Sequence, residues 1–200
     1  MKKIYSLYLI VLASISVNAQ QGFEGKFLLQ TENYNKEYKE DAHVTWYIKN
    51  GRHRMDYQIS GQYSSSYTIV ADNNSAKIYS ETKGGKTVTP IPLTNSAAVN
   101  DYRIMGEEKN QVLNSFNCTK YILMVSDGTI ELWLSEQNSI SPDIFPAFMQ
   151  RGYLNIISKL NPKAIPVKIL KNDLSGHLAF SQTIIGIIPE KISDSTFIIQ

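Results

Sequence analysis

The stretch His43–Ser60, with the sequence HVTWYIKNGRHRMDYQIS, decides the fold that we expect for this chain. Asn50-Gly51 lies at its centre, and this dipeptide favours a two-residue hairpin turn because both turn residues must adopt positive φ. A tight turn pairs the residues on either side of it, so that Trp46 lies opposite Met55. The stretch therefore predicts two antiparallel strands joined directly to each other.

The two predicted strands divide their side chains between an apolar face and a polar face, because successive residues of a strand point to opposite sides. The apolar face carries Val44, Trp46, Ile48, His53, Met55, Tyr57 and Ile59. The polar face includes Lys49, Arg52, Arg54 and Asp56. An antiparallel hairpin of this kind is half-buried, and its apolar face must contact either a protein core or a ligand.

Two further features predict a sheet with a late helical insert. Asp127-Gly128 is a second hairpin signal, and because both faces of its strands carry apolar residues we expect that hairpin in the middle of the sheet. Short apolar runs separated by turn residues indicate several more strands. Residues 139–161 instead show helical spacing and predict two short helices, whereas Glu81–Asp101 predicts one short strand at most and a loop. We expect an α+β fold in which one strongly curved antiparallel sheet, an incomplete β-barrel, carries a short helical lid or plug.

The first 19 residues are typical of a secretory signal peptide. Lys2 and Lys3 precede the apolar run Ile4–Val17, and Val17-Asn18-Ala19 supplies small residues at a cleavage site. An uncleaved N-terminal anchor is the alternative. We expect residues 1–19 to be removed and residues 20–200 to form a single β-rich domain.

Charge and cysteine content indicate the compartment and exclude some partners. Removing Lys2 and Lys3 from the 20 basic residues leaves 18, equal to the 18 acidic residues, so we expect no nucleic-acid partner. No later stretch is long and apolar enough to span a bilayer, and no cysteine follows the signal segment to carry an acyl anchor. We therefore expect a soluble protein of the periplasm, with an extracellular location as the alternative.

Large apolar side chains on the sheet and on the first predicted helix are the candidates for a ligand cavity. This set comprises Trp46, Met55, Tyr57, Trp133, Phe145, Phe148 and Met149. The helices could leave a cavity beside these residues, or could fill the sheet and turn them into an ordinary core.

The polar residues of the sequence form no recognised catalytic or metal-binding pattern. The three histidines, His43, His53 and His177, are scattered, and the single Cys118 has no second cysteine at metal-ligand spacing. No nucleophile elbow, phosphate loop or dinucleotide fingerprint occurs in the sequence. We therefore expect neither an enzyme nor a protein that holds a metal or a cofactor.

Several short motifs, taken in order, resemble a known family. They are Phe23-Glu-Gly25, Trp46–Asp56, Tyr67–Asp72, Cys118–Tyr121, Gly128–Trp133 and Ser195-Thr-Phe197. In this order they resemble the exported bacterial family called domain of unknown function 4412, which is similar to the periplasmic lipoprotein carrier LolA and its outer-membrane receptor LolB. The resemblance implies an incomplete β-barrel with a helical lid over a hydrophobic cavity for acyl chains.

The resemblance also implies a role for two basic residues of the first hairpin. Lys49 or Arg52 is the nearest match to a cation that helps to lock the lid of the carrier, so both are candidates for contact with the lid or with a ligand head group. We predict a carrier for a lipid or another apolar ligand. The alternative is a protein-interaction module with a filled core, a periplasmic protein partner and no small-molecule ligand.

Overall fold

A computed structural model describes residues 22–34, 39–61, 65–72, 74–82, 85–92, 101–136, 140 and 153–199. The predicted signal peptide lies outside the described residues, as does the first predicted helix with Phe145, Phe148 and Met149. Of the helical insert, the structure describes the second helix, α1, at Tyr153–Leu160.

Eleven strands make up most of the described chain, and each is antiparallel to its neighbours. They are β1 Gly25–Tyr34, β2 Lys39–Lys49, β3 Arg52–Gly61, β4 Ser65–Ala71, β5 Ala76–Thr82, β6 Gly85–Pro90, β7 Tyr102–Leu113, β8 Phe116–Val125, β9 Gly128–Ser135, β10 Ile165–Asn172 and β11 Leu178–Pro189. A short 3-10 helix at Asp194–Phe197 follows β11.

The strands form one sheet in the order β6-β5-β4-β3-β2-β1-β11-β10-β9-β8-β7. Strands β1 to β6 run as one meander and β7 to β11 as another, and pairing of β1 with β11 joins the two. Within the described residues, β6 and β7 are the edges and the sheet is not closed. The predicted single antiparallel sheet is confirmed. The lid is not, because only α1 of the helical insert is described.

The hairpin of β2 and β3 has the predicted register. Trp46 pairs with Met55, Val44 pairs with Tyr57, and the turn residues Asn50 and Gly51 have φ of 50° and 72°. Burial alternates along β2 as the apolar and polar faces require. The hairpin is an interior unit of the sheet, with β1 on one side and β4 on the other.

The hairpin of β8 and β9 forms, but its two turn residues are Ser126-Asp127 rather than Asp127-Gly128, because Leu123 pairs with Ile130 and Val125 with Gly128. The expectation that it lies in the middle of the sheet is wrong, because β8 is next to the edge strand β7 and Met124 is 46% exposed. Gly128 has a φ of +142°, and a Cβ there would lie 1.9 Å from the backbone oxygen of Asn172. The turn therefore packs directly on the end of β10.

Strong curvature of the sheet brings distant strands together. The side-chain amide of Asn114, in the β7–β8 turn, donates a hydrogen bond to the backbone oxygen of Ile184 on β11 at 3.2 Å. Strands β9 and β10 lie between these two points in the sheet. Phe116, the first residue of β8, accordingly belongs to the same apolar cluster as Phe27 and Trp46.

The core consists of two apolar clusters. The first lies mainly on β1 to β4 and includes Phe27, Trp46 and Met55, all at most 1% exposed. The second lies on β8 to β10, where Ile156 and Ile157 of α1 are buried against residues such as Leu132. The helix is therefore held by its apolar face, and it ends at Leu160, two residues before Pro162.

Candidate functional site

Trp46 and Met55, two of the predicted cavity residues, lie within the closed core. They are 0% and 1% exposed. The indole of Trp46 meets the ring of Phe27 edge-on, with centroids 5.2 Å apart, and its Nε1 donates a hydrogen bond to His53 Nδ1 at 3.3 Å. The centre of the apolar face is thus packed by its own side chains.

The imidazole of His53 is a buried acceptor beneath this indole. Burial lowers its pKa from 6.5 to about 4, although the negative charge of Asp72 acts in the opposite direction. A neutral ring can accept the hydrogen bond from Trp46, whereas a doubly protonated ring cannot. The Trp46–His53 pair therefore depends on His53 remaining uncharged.

Tyr57, a third predicted cavity residue, lies towards the other end of the same face. Its ring is stacked on Tyr67 with centroids 4.4 Å apart, and burial raises the pKa of its hydroxyl. Both tyrosines line a small pocket of about 130 Å³, whose other walls are largely polar and include Glu40 and Gln182. Its volume is well below the roughly 300 Å³ at which small-molecule sites begin.

Trp133, the fourth described member of the predicted set, is half-buried at the margin of the first cluster. Lys120 on β8 and Lys168 on β10 are its cross-strand neighbours. Their Nζ atoms lie 5.0 and 5.2 Å from its ring centroid, within the range of cation–π contact. The structure therefore places Trp133 between two lysines, at the margin of the cluster that contains Trp46 and Met55.

A larger pocket, of about 320 Å³, lies where the β7–β8 turn approaches the start of β1 and the end of β11. We call it the β8 pocket. The described residues that line it are Phe23, Asn114, Ser115, Phe116, Ile140, Ile187 and Pro189. None of these residues was in the set predicted from sequence, because they come from four separate parts of the chain and only the curvature of the sheet brings them together.

Five of the seven described residues that line the β8 pocket are apolar. Phe116 and Ile140 are 8% and 7% exposed, and the ring of Phe23 packs on Phe27 at 5.2 Å between centroids. A Cβ at Gly25 would lie 2.8 Å from the Phe23 ring and 2.4 Å from the backbone oxygen of Ile188. Glycine at this position therefore allows Phe23 to turn back against the strand. The motif Phe23-Glu-Gly25 was the sequence signal nearest to this wall.

The β7–β8 turn supplies the polar part of the same pocket. Asn114 and Ser115 have φ of 48° and 69°, the conformation of a two-residue hairpin turn. Such a conformation is costly for a residue with a side chain, and strained positions of this kind are often found at functional sites. The hydrogen bond from Asn114 to Ile184 fixes the turn over the pocket.

Lys49 and Arg52, the predicted lid or head-group contacts, hold the segment after β11. Lys49 Nζ donates to the backbone oxygen of Ile192 at 2.6 Å and lies 3.2 Å from a carboxylate oxygen of Asp194. Arg52 also pairs with Asp194, and its guanidinium lies 4.8 Å from the ring centroid of the buried Phe197. Hydrogen bonds from these two cations, that from Arg52 first, lower the pKa of the Asp194 carboxyl.

Lys49 also contacts Glu24, the residue next to Phe23 in the wall of the β8 pocket. This carboxylate lies 3.5 Å from Lys49 Nζ and accepts a hydrogen bond from the backbone nitrogen of Ile192 at 2.7 Å. Glu24 directly follows Phe23, and Ile192 comes three residues after Pro189, so the network joins two segments of the pocket wall. Lys49 and Arg52 are therefore positioned to stabilise the pocket from the polar face of the hairpin.

Other reactive groups in the described part of the chain are few. Cys118 is buried, donates to the backbone oxygen of Phe116 at 3.6 Å, and has its pKa raised to about 11 by burial. Its sulfur is therefore a thiol at neutral pH. Within the described ranges, no group of three His, Cys, Asp or Glu residues is arranged to hold a metal ion, and no helix has the length and apolar character needed to cross a membrane.

Comparison with known proteins identifies the family. The model of the family described as a domain of unknown function, DUF4412, matches residues 23–199. The chain belongs to this family. No curated protein matches the sequence.

Solved structures show the relationship of the fold. A chain in the complex of Pseudomonas aeruginosa MucA and MucB superposes with a TM-score of 0.51 at 10% identity, over 88% of this chain and 56% of that one. A LolA superfamily protein from Nitrosomonas europaea superposes with a TM-score of 0.36 at 9% identity, over 89% of this chain and 90% of that one. A putative outer membrane lipoprotein-sorting protein domain from Vibrio parahaemolyticus superposes with a TM-score of 0.34 at 10% identity, over 94% of each chain. The chain thus spans little more than half of the Pseudomonas chain, and the likeness concerns the fold alone.

Proposed function

We propose that this protein binds a lipid or another apolar ligand in the β8 pocket and acts as a carrier in the periplasm. The observation that carries the proposal is a pocket of about 320 Å³ whose lining combines five apolar residues with the polar Asn114-Ser115 turn. Small-molecule sites have volumes of roughly 300 to 1,000 Å³ and combine apolar walls with a few polar groups. The pocket lies at the lower end of this range, so it suits part of an acyl chain.

The hydrophobic effect supplies enough free energy for such binding. Burial of each methylene contributes about 0.8 kcal/mol, so a chain segment of about six carbons gains roughly 5 kcal/mol before the entropy costs of association. Phe116 and Ile140 are already shielded from water, and a ligand beside them would extend the first cluster. The remainder of a long chain would lie outside the pocket, in reach of a membrane or a partner.

In this proposal α1 forms part of the predicted lid. Its residues Ile156 and Ile157 pack over β8 to β10, on the half of the sheet that also supplies Phe116 to the pocket. We assign no catalytic step to the protein. The described residues of the pocket wall carry hydroxyl and amide groups but no acid–base pair, which supports binding rather than turnover.

A fluorescent acyl probe tests the proposal with a matched pair of variants. Ile187→Trp places an indole in the β8 pocket, whereas Ile185→Trp adds the same group two residues away at a position that is 47% exposed. We expect Ile187→Trp to weaken probe binding at least tenfold and Ile185→Trp to leave it within about twofold. Solvent extraction of the purified protein followed by mass spectrometry identifies any lipid that is carried. Equal binding by both variants contradicts the assignment of the pocket.

A protein-interaction module is the second candidate, and the sheet edges favour it. All six residues of β6 are exposed, with Val88 at 55%, and β7 exposes Ile104 and Val112 at 50% and 72%. Edge strands of this kind can pair with an extended segment of another protein. In-cell crosslinking from Val88 tests this candidate. A stoichiometric protein partner, lost when residues 81–101 are deleted and retained in Ile187→Trp, favours the module over the carrier.

A further inference from the structure

The charges around the β8 pocket distinguish between classes of ligand. The described residues of its wall include no lysine, arginine or carboxylate. The nearest charged residues in sequence, Glu24 and Glu190, are carboxylates that pair with Lys49 and Lys26 at 3.5 and 3.0 Å. An anionic head group entering the pocket would therefore find no cation in the described wall to replace its hydration.

The polar side of the pocket is formed by neutral groups with a specific hydrogen-bonding capacity. The Asn114 amide nitrogen is used by the bond to the Ile184 backbone oxygen at 3.2 Å, which leaves its Oδ1 as an acceptor. Ser115 lines the pocket and is exposed, and its hydroxyl can both donate and accept. A ligand head that carries an O–H or N–H donor matches this pair.

We propose that the ligand is an uncharged amphiphile, namely an acyl or alkyl chain with a hydroxyl or amide head, and that the Asn114-Ser115 turn recognises this head. The inference rests on the proposed binding function. A hydroxyl head donates to Asn114 Oδ1 and accepts from Ser115. A carboxylate or phosphate cannot donate to Asn114, and no cation of the described wall replaces its hydration, so an ionised head stays in water and makes no contact with Ser115.

Ser115 has a backbone conformation that makes a clean variant possible. At a φ of 69°, glycine is less strained than serine, so Ser115→Gly removes the hydroxyl without disturbing the turn. The pocket walls of Phe116 and Ile187 are untouched by this change. A loss of head-group selectivity in Ser115→Gly therefore reports the hydroxyl rather than the fold.

The experiment compares 1-monopalmitoylglycerol with palmitate, at a pH near 8 where palmitate is ionised, by displacement of the fluorescent acyl probe. We expect the neutral lipid to bind at least tenfold more tightly. In Ser115→Gly we expect this preference to fall to about threefold or less, with the affinity for palmitate unchanged.

Each other outcome overturns a defined part of the reasoning. If the probe binds but palmitate competes as well as the neutral lipid, the selectivity is wrong while the proposed function stands. If the neutral lipid is preferred equally by the protein and by Ser115→Gly, recognition by the turn is wrong. If the probe does not bind at all, the proposed function fails, and the inference fails with it.

Discussion

Acidification should destabilise the protein through His53, and replacing this residue should remove most of the effect. The imidazole is 4% exposed and accepts a hydrogen bond from Trp46 Nε1 at 3.3 Å. Burial lowers its pKa from 6.5 to about 4, with Asp72 opposing the change. Below pH 6.5 the unfolded chain therefore binds a proton at His53 that the folded protein does not bind until about pH 4.

The size of the effect follows from this difference. Because the unfolded state binds more protons between pH 6.5 and about 4, the free energy of unfolding falls as the pH falls through this window. At about 1.4 kcal/mol per pH unit, the loss contributed by His53 is about 3 kcal/mol. That is a large part of the stability of an ordinary domain, which is roughly 5 to 15 kcal/mol.

Urea unfolding at about pH 7 and about pH 4 measures the effect. In His53→Asn a side-chain oxygen can accept from Trp46, and no group titrates at this position. We expect this variant to start less stable but to lose about 3 kcal/mol less on acidification than the unchanged protein. The matched control is His43→Asn, at an exposed position on the same hairpin. Equal acid losses in the unchanged protein and in His53→Asn would refute the reasoning.

Three further predictions concern packing and the C-terminal segment. Gly128→Ala should lower the free energy of unfolding by about 3 kcal/mol, because the added Cβ would lie 1.9 Å from the backbone oxygen of Asn172. Urea unfolding measures this loss, and a loss below about 1 kcal/mol contradicts the prediction. Ile157→Ala should lower the free energy of unfolding by about 3 kcal/mol in the same assay, because Ile157 is 1% exposed. The control Ser158→Ala, on the exposed side of α1, should change it by less than about 0.5 kcal/mol. Asp194→Asn weakens the ion pairs with Lys49 and Arg52 that hold the segment after β11. Proteolysis of this segment should therefore become faster, while the midpoint of global unfolding changes little. An unchanged rate of cleavage contradicts the role of these ion pairs.

The first hairpin signal in the sequence was sufficient to predict the register of β2 and β3, and the second predicted a hairpin at β8 and β9. Asn50-Gly51 fixes the register of its strands, because a two-residue turn leaves a single pairing and the side-chain period of two then decides which residues face the core. At Asp127-Gly128 the turn lies one residue earlier than expected, which moves the cross-strand pairs but leaves the same side chains on each face. The helical spacing before Pro162 likewise predicted α1. These are local properties, and local sequence carries them.

The position of the pocket depends on long-range geometry instead. Trp46 and Met55 have the aromatic and apolar character expected of a cavity wall, but whether such residues surround a void or fill it depends on what packs against them. Here they are buried. Phe23, Phe116 and Ile187 come together only because the sheet curves far enough for the β7–β8 turn to reach β11.

The sequence by itself determined the pairing of the first hairpin, the polar and apolar faces and the family, because each depends on residues that are neighbours along the chain or across one turn. Only the tertiary structure decided which apolar residues border open space and what Lys49 and Arg52 contact. The physical reason is that the packing of the whole sheet sets its curvature, and no single short stretch decides it. The same packing returns the C-terminal segment to the β2–β3 hairpin, where Lys49 and Arg52 hold it.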